Sequence, residues 1–128
     1  MNHFGFTKLL VDDLEATARF YKGVCNLTET GRVQDQIGGR PISEILFAPT
    51  AEGGGTFVLL KFLDAPKPTN DEVILGFVTD DVVAFVERAV AHSGTVVSPV
   101  ETQPEYGVKA AFVTDCEGHL IEVVELLA

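Results

Sequence analysis

The sequence predicts an α+β domain of two β-α-β-β-β modules, their strands forming a curled mixed sheet, a cup, with the helices on its outer face. Three observations carry this expectation. First, the segment from Phe6 to Phe20 recurs in plan from Ile74 to Arg88, at a constant spacing of 68 residues. In each copy an apolar strand runs into two aspartates, Asp12-Asp13 or Asp80-Asp81, and then into a helical pattern. Second, several strands are apolar on both faces: Val73, Leu75 and Phe77 alternate with Ile74, Gly76 and Val78, and Ile121 and Val123 with Leu120 and Val124. An antiparallel sheet with one wet face would alternate apolar and polar residues, so both faces here need shielding. Third, 128 residues, 46% hydrophobic and 22% charged, suit one domain with one core.

Module one (1–64) opens with a strand at 3–11 and a helix at 13–25. Asp12 or Asp13 can accept the first free amides of that helix. Leu14, Ala18, Tyr21 and Val24 form its buried stripe, and Asn26 suits the left-handed position that ends it. Strands follow at 28–34, 41–48 and 55–63, punctuated by Gly38-Gly39 and by a glycine-rich stretch at 51–55; the last two strands read as a hairpin. A polar, proline-bearing linker spans 65–71. Module two (72–128) repeats the order: a strand at 71–79, a helix at 81–93 burying Val82, Phe85, Val86, Ala89 and Val90, then strands at 95–99, 108–114 and 119–126. Ser93-Gly94 stops the second helix, and Asp115 to Gly118 turns the final hairpin.

A net charge of −10 argues against nucleic acid, since nothing neutralises phosphates. It suits a cationic ligand and solubility equally. No apolar run approaches the roughly 20 residues a membrane span needs, and the N-terminal residues lack signal-peptide character. A cytoplasmic location and no membrane partner are therefore expected. Cys25 and Cys116 lack metal or redox spacing and read as buried or half-buried free thiols.

The Val11-Asp-Asp-Leu14 junction before Phe20-Tyr21, the repeat, and the terminal Asp115-x-x-Gly-His-Leu-Ile-Glu122 resemble the vicinal oxygen chelate superfamily, which holds glyoxalases, bleomycin-resistance binding proteins and dioxygenases. The resemblance implies one metal ligand on each of four central strands. The first position, eight residues before Leu14, is Phe6; its repeat is Ile74. The second falls at Leu60, with Lys61 as the alternative, and the fourth is Glu122. A divalent ion needs several O, N or S donors at about 2.0–2.6 Å, and one carboxylate does not supply them. No metal and no cofactor are therefore expected. His3 points away from Phe6 by strand parity, His92 suits a helix end, and His119 is expected at the rim or surface.

Parity fills the concave side with Phe4, Phe6 and Lys8; Val58, Leu60 and Phe62; Ile74, Gly76 and Val78; and Leu120, Glu122 and Val124. This apolar hollow suits a hydrophobic or aromatic small molecule, in one version cationic, bound without metal in the manner of bleomycin-resistance proteins. Candidate ligand-binding residues are Phe4, Phe6, Lys8, Leu60, Phe62, Ile74, Gly76, Tyr106 and Glu122. Arg40, Glu44 and Glu105 flank the opening, Tyr106 offers a stacking face, and Phe47, Phe57 and Phe112 read as core. Glu122 has three readings: a carboxylate paired with Lys8, a ligand acceptor, or a general base, its catalytic role being the weakest. The competing function is a glyoxalase- or dioxygenase-like lyase, isomerase or oxygenase with a non-standard or relocated site. The resemblance also implies a homodimer.

Overall fold

The computed structural model describes residues 2–69 and 72–128. The element order is β1 (Phe6–Leu10), α1 (Leu14–Cys25), β2 (Glu29–Ile37), β3 (Arg40–Phe47), β4 (Thr56–Phe62), β5 (Ile74–Val78), α2 (Val82–Ala91), β6 (Val96–Gln103), β7 (Val108–Thr114) and β8 (Leu120–Leu126). The fold is α+β, with the β-α-β-β-β order present twice. The chain divides into two compact units, one of Met1–Lys22 with Asn26–Pro68, the other of Gly23–Cys25 with Thr69–Ala128.

The first unit holds a four-stranded sheet in the order β1-β4-β3-β2. β1 lies parallel to β4, while β3 is antiparallel to both β4 and β2. The Asp13 carboxylate caps α1 by accepting from the Ala16 amide at 3.0 Å. Asn26, at φ 58°, ends the helix in the left-handed region. One face of the sheet packs on α1: Tyr21 meets Phe57 at 5.0 Å between ring centroids, and Phe57 stacks on Phe47. Leu9, Ile45, Phe47 and Leu59 are buried, as are Phe20 and Tyr21.

The second unit repeats the arrangement in the order β5-β8-β7-β6, with β5 parallel to β8. Asp81 caps α2 through the Ala84 amide. Val82, Phe85 and Ala89 of α2 are buried, together with Ala111, Val113, Ile121 and Val123 of the sheet. The Glu125 carboxylate accepts from the Val82 amide at 2.9 Å, tying β8 to the start of α2.

Several expected boundaries move. The first strand starts at Phe6 rather than residue 3, so Phe4 precedes it. β2 runs to Ile37 because Gly38 and Gly39, at φ 56° and 79°, make a tight two-residue hairpin turn. β6 runs to Gln103 rather than residue 99. It lies at a sheet edge, and its pairing with β7 shifts register between Ser98 and Glu101, which accommodates Pro99 without an amide donor. Val90, expected in the core, is 52% exposed: it sits one residue past buried Ala89 and so turns off the apolar stripe. Residues 70 and 71, in the expected linker and at the expected start of the fifth strand, lie outside the described residues. Among the described residues no helix is long and apolar enough to cross a membrane.

Candidate functional site

Each sheet has a second face, turned away from its helix, and strand register assigns its residues. In the first sheet Lys8 pairs with Val58, and Leu10 with Leu60. Leu60 then pairs with Glu44, and Phe62 with Ile42. Phe6, Lys8, Leu10, Val58, Leu60 and Phe62 therefore share one face with Ile42, Glu44 and Leu46. In the second sheet Gly76 pairs with Glu122, and Glu122 with Phe112, so Ile74, Gly76, Val78, Leu120, Glu122 and Val124 share a face. Within each sheet, register puts on one face the residues that parity groups together, apart from Phe4, which precedes β1.

Exposure is concentrated on the edge strands. Phe4 and Phe6 are 82% and 57% exposed, and Leu10, Ile74 and Val78 are exposed as well. The interior strands differ: Ile42, Val58 and Leu60 are buried. Beside Gly76 there is open space, with no heavy atom within 4 Å of where a Cβ would stand. Tyr106 ends a short 3-10 turn, Pro104–Tyr106, and is 74% exposed.

The charges are arranged differently from the sequence expectation. Lys8 donates to the Glu44 carboxylate at 2.6 Å, so the expected Lys8–Glu122 pair is replaced by one within the first sheet. Glu44 is buried, at 6% exposure, and belongs to the face itself rather than to its rim. The alternation along β3 conceals it, since Ile45, Leu46 and Phe47 are consecutive apolar residues; the pairing Glu44–Leu60 reveals it. Glu122 is half-buried between Gly76 and Phe112 in register, and no ion pair of Glu122 is formed among the described residues. Phe112 thus lies on the Glu122 face, whereas Phe47 and Phe57 pack on the helix side.

His119 is a second correction. It is buried at 5% exposure, with Nδ1 2.7 Å from the Asp115 carboxylate. The other oxygen of Asp115 accepts from the Glu117 and His119 amides, so the pair closes the final hairpin from inside. His3 is exposed, and the His92 ring lies 2.8 Å from the Arg88 carbonyl at the end of α2. Cys25 and Cys116 are half-buried; burial pushes the Cys25 thiol up.

The donor set at the four ligand positions does not fit a divalent metal. Register makes Val58, rather than Leu60, the first-sheet counterpart of Glu122, because Val58 pairs with Lys8 as Glu122 pairs with Gly76. Either residue is aliphatic, and Phe6 on β1 offers no donor. Lys61 lies on the other face and donates to the Asp12 backbone carbonyl. In the second sheet Ile74 offers nothing and Glu122 one carboxylate. Among the described residues no three His, Cys, Asp or Glu side chains gather in a way that would hold an ion.

Residues 1–123 match the family model described as Glyoxalase/Bleomycin resistance protein/Dioxygenase superfamily. The chain belongs to this superfamily. Among solved structures, a glyoxalase family protein from Bacillus cereus is 18% identical, with a TM-score of 0.86, over 100% of this chain and 96% of that one. TioX from Micromonospora sp. ML1 is 21% identical, with a TM-score of 0.67, over 98% of this chain and 100% of that one. A point mutant of glyoxalase I from Zea mays is 18% identical, with a TM-score of 0.75, over 94% of this chain but 45% of that one. At such identities these likenesses show the superfamily fold and leave chemistry to the residues. No curated protein matches the chain.

Proposed function

We propose that this superfamily member binds a small hydrophobic or aromatic molecule, in one version cationic, without a metal ion, in the manner of the bleomycin-resistance proteins. The observation that carries the reading is the substitution of carbon side chains, Phe6, Val58 or Leu60, and Ile74, at positions where chelating relatives need donors. Exposed Phe4 and Phe6 in the first unit, and Ile74 and Val78 in the second, supply apolar surface that water solvates poorly, and Gly76 leaves open space on the second sheet. Glu122 adds one acceptor or counter-charge for an orienting contact, and Tyr106 a ring. The same exposed apolar residues support association of two copies, which light scattering reads as twice the mass of 13.8 kDa.

The test pairs metal analysis with ligand titration. Protein purified without chelator is expected to carry substoichiometric Ni, Zn, Fe and Mn. A panel of planar aromatic compounds, cationic and neutral, is expected to raise the melting temperature for some members, with the rise reduced in Phe6→Ala and Ile74→Ala variants. Stoichiometric metal, or no shift with any member, overturns the reading. A metal-loaded protein would instead favour the enzyme alternative.

A further inference from the structure

A cavity of about 250 Å³ opens at one end of the first sheet, lined by Leu10 at the end of β1, Val11 and Asp12 after it, Arg40 of β3, Lys61 and Phe62 of β4, and the segment Ala65–Pro68. It is larger than the roughly 150 Å³ that encloses a benzene molecule, so a substituted ring or a short branched chain fits. Leu10, Val11, Phe62 and Ala65 give the lining apolar surface, and Pro66 and Pro68 stiffen the segment that contributes to it.

Its charge runs against the rest of the molecule. The chain carries −10 overall, yet the lining holds three cations, Arg40, Lys61 and Lys67, and one carboxylate, Asp12. The Arg40 guanidinium lies over the Phe62 ring at 3.9 Å from its centroid, a flat cationic surface backed by an aromatic one. Arg40 also meets Asp64 at 3.3 Å, but both side chains are nearly half exposed, so solvent weakens this pair and a ligand can replace it. Lys61 is held by the Asp12 carbonyl, with the Asp12 carboxylate at 3.4 Å. Lys67 makes no ion pair among the described residues. Counting Asp12 and Asp64 against the three cations leaves an excess of one positive charge, which matches a monoanion rather than a phosphate dianion.

We propose that this cavity binds a small organic monocarboxylate with an aromatic or branched apolar body, its carboxylate on Arg40 and Lys67 and its body against Leu10 and Phe62. A guanidinium presents paired donors in the geometry a carboxylate accepts, and Lys67 in the lining supplies a second positive charge. The cavity adjoins the face of the reading above, since Leu10 and Phe62 belong to both, but its ligand is anionic, so either proposal can fail without the other.

Amide chemical shifts in ¹⁵N-labelled protein test it with four probes: benzoate, benzamide as the neutral isostere, benzylamine as the cation and phenyl phosphate as the dianion. Benzoate is expected to shift amides of residues 10–12, 40, 61–63 and 65, with benzamide at least about tenfold weaker, and benzylamine and phenyl phosphate weaker than benzoate. Arg40→Gln and Lys67→Gln, each checked for an unchanged far-UV spectrum, are expected to weaken benzoate binding about tenfold and to abolish its preference over benzamide. Benzamide binding as tightly as benzoate overturns the proposal, as do shifts confined to other residues or unchanged affinity in both variants. So does the absence of any shift at about 10 mM benzoate, where a site of about 1 mM Kd is mostly filled. Tighter binding of phenyl phosphate would replace the monocarboxylate by a phosphate ester.

Discussion

Removing the amine of Lys8 is the sharpest perturbation of the face turned away from α1. The Glu44 side chain keeps 8% of its exposure and Lys8 keeps 33%, with 2.6 Å between the charged atoms. Breaking a fully buried pair costs about 3–5 kcal/mol, because the remaining charge has neither water nor partner. Lys8 is one-third wet, so some water already reaches the pair. A charge-assisted hydrogen bond, about 1.5–3 kcal/mol, is the better measure, and Lys8→Ala should cost about 2 kcal/mol. At about 3–5 °C per kcal/mol for a chain of this size, the melting temperature falls by about 6–10 °C. Replacing both members, Lys8→Met with Glu44→Gln, removes the stranded charge and should recover more than half of that loss. Urea unfolding of Lys8→Met, Glu44→Gln and the double variant, followed by far-UV circular dichroism, gives the double-mutant cycle, with an expected coupling of about 1–2 kcal/mol. A Lys8→Ala protein within about 0.5 kcal/mol of the parent, or single losses that simply add in the double variant, would refute the reasoning.

Three further outcomes can be checked. Asp115→Ala leaves the Glu117 and His119 amides and the His119 ring without their acceptor, and should cost about 3 kcal/mol in urea unfolding, with Asp115→Asn costing less; equal losses would count against the hydrogen-bond account. The Cys25 thiol is held protonated by burial in the folded chain, whereas the unfolded thiol ionises near pH 8.5, so the stabilisation is full below that pH and declines above it. A Cys25→Ala variant should show a shallower decline between about pH 8.5 and 10.5, and an identical profile would exclude Cys25 as its source. Glu29 has its carboxyl lowered to about 2 by hydrogen bonds from Arg32 and Lys22, so its contribution is present above about pH 4.3 and fades as pH falls toward 2. Arg32→Ala should raise the Glu29 titration midpoint measured by carboxyl ¹³C shifts, and an unmoved midpoint would show that Arg32 is not the cause.

The repeat made the fold legible because it copies a whole supersecondary unit: strand, acidic cap and helix recur together, and the cap aspartates act as expected at Asp13 and Asp81. Period-two parity was enough to place Phe6, Lys8, Leu60, Ile74 and Glu122 on their faces, since a strand has only two. Long-range partners were harder. Lys8 meets Glu44 across 36 residues, brought together by β4, which pairs with both β1 and β3, and no periodicity within β1 reports it. His119 lies inside rather than at the rim because the Asp115 carboxylate binds its ring from the turn, a contact that strand periodicity does not report. The cavity beside Arg40 draws on four separate stretches of chain, one of them a connector with no periodic pattern at all.

The two faces of each sheet carry different obligations, and this explains how chelating positions can become carbon while the fold persists. Leu9, Ile45, Phe47 and Leu59 are buried, as are Phe20 and Tyr21, and a single truncation there costs about 2–5 kcal/mol, a large share of the stability of a domain. Phe6 and Ile74 each retain 57% exposure, so replacing a polar side chain by either at those positions disturbs little packing. Such a change also removes the repulsion that several carboxylates impose on one another when no ion neutralises them. Loss of donors at one position therefore relaxes the need for donors at the others, and the set is expected to decay together. Glu122, at the one position that keeps its carboxylate, should consequently tolerate Glu122→Gln with little change in stability. If it does, while ligand affinity or turnover falls, the carboxylate is retained for the ligand; if stability alone changes, its role is within the sheet.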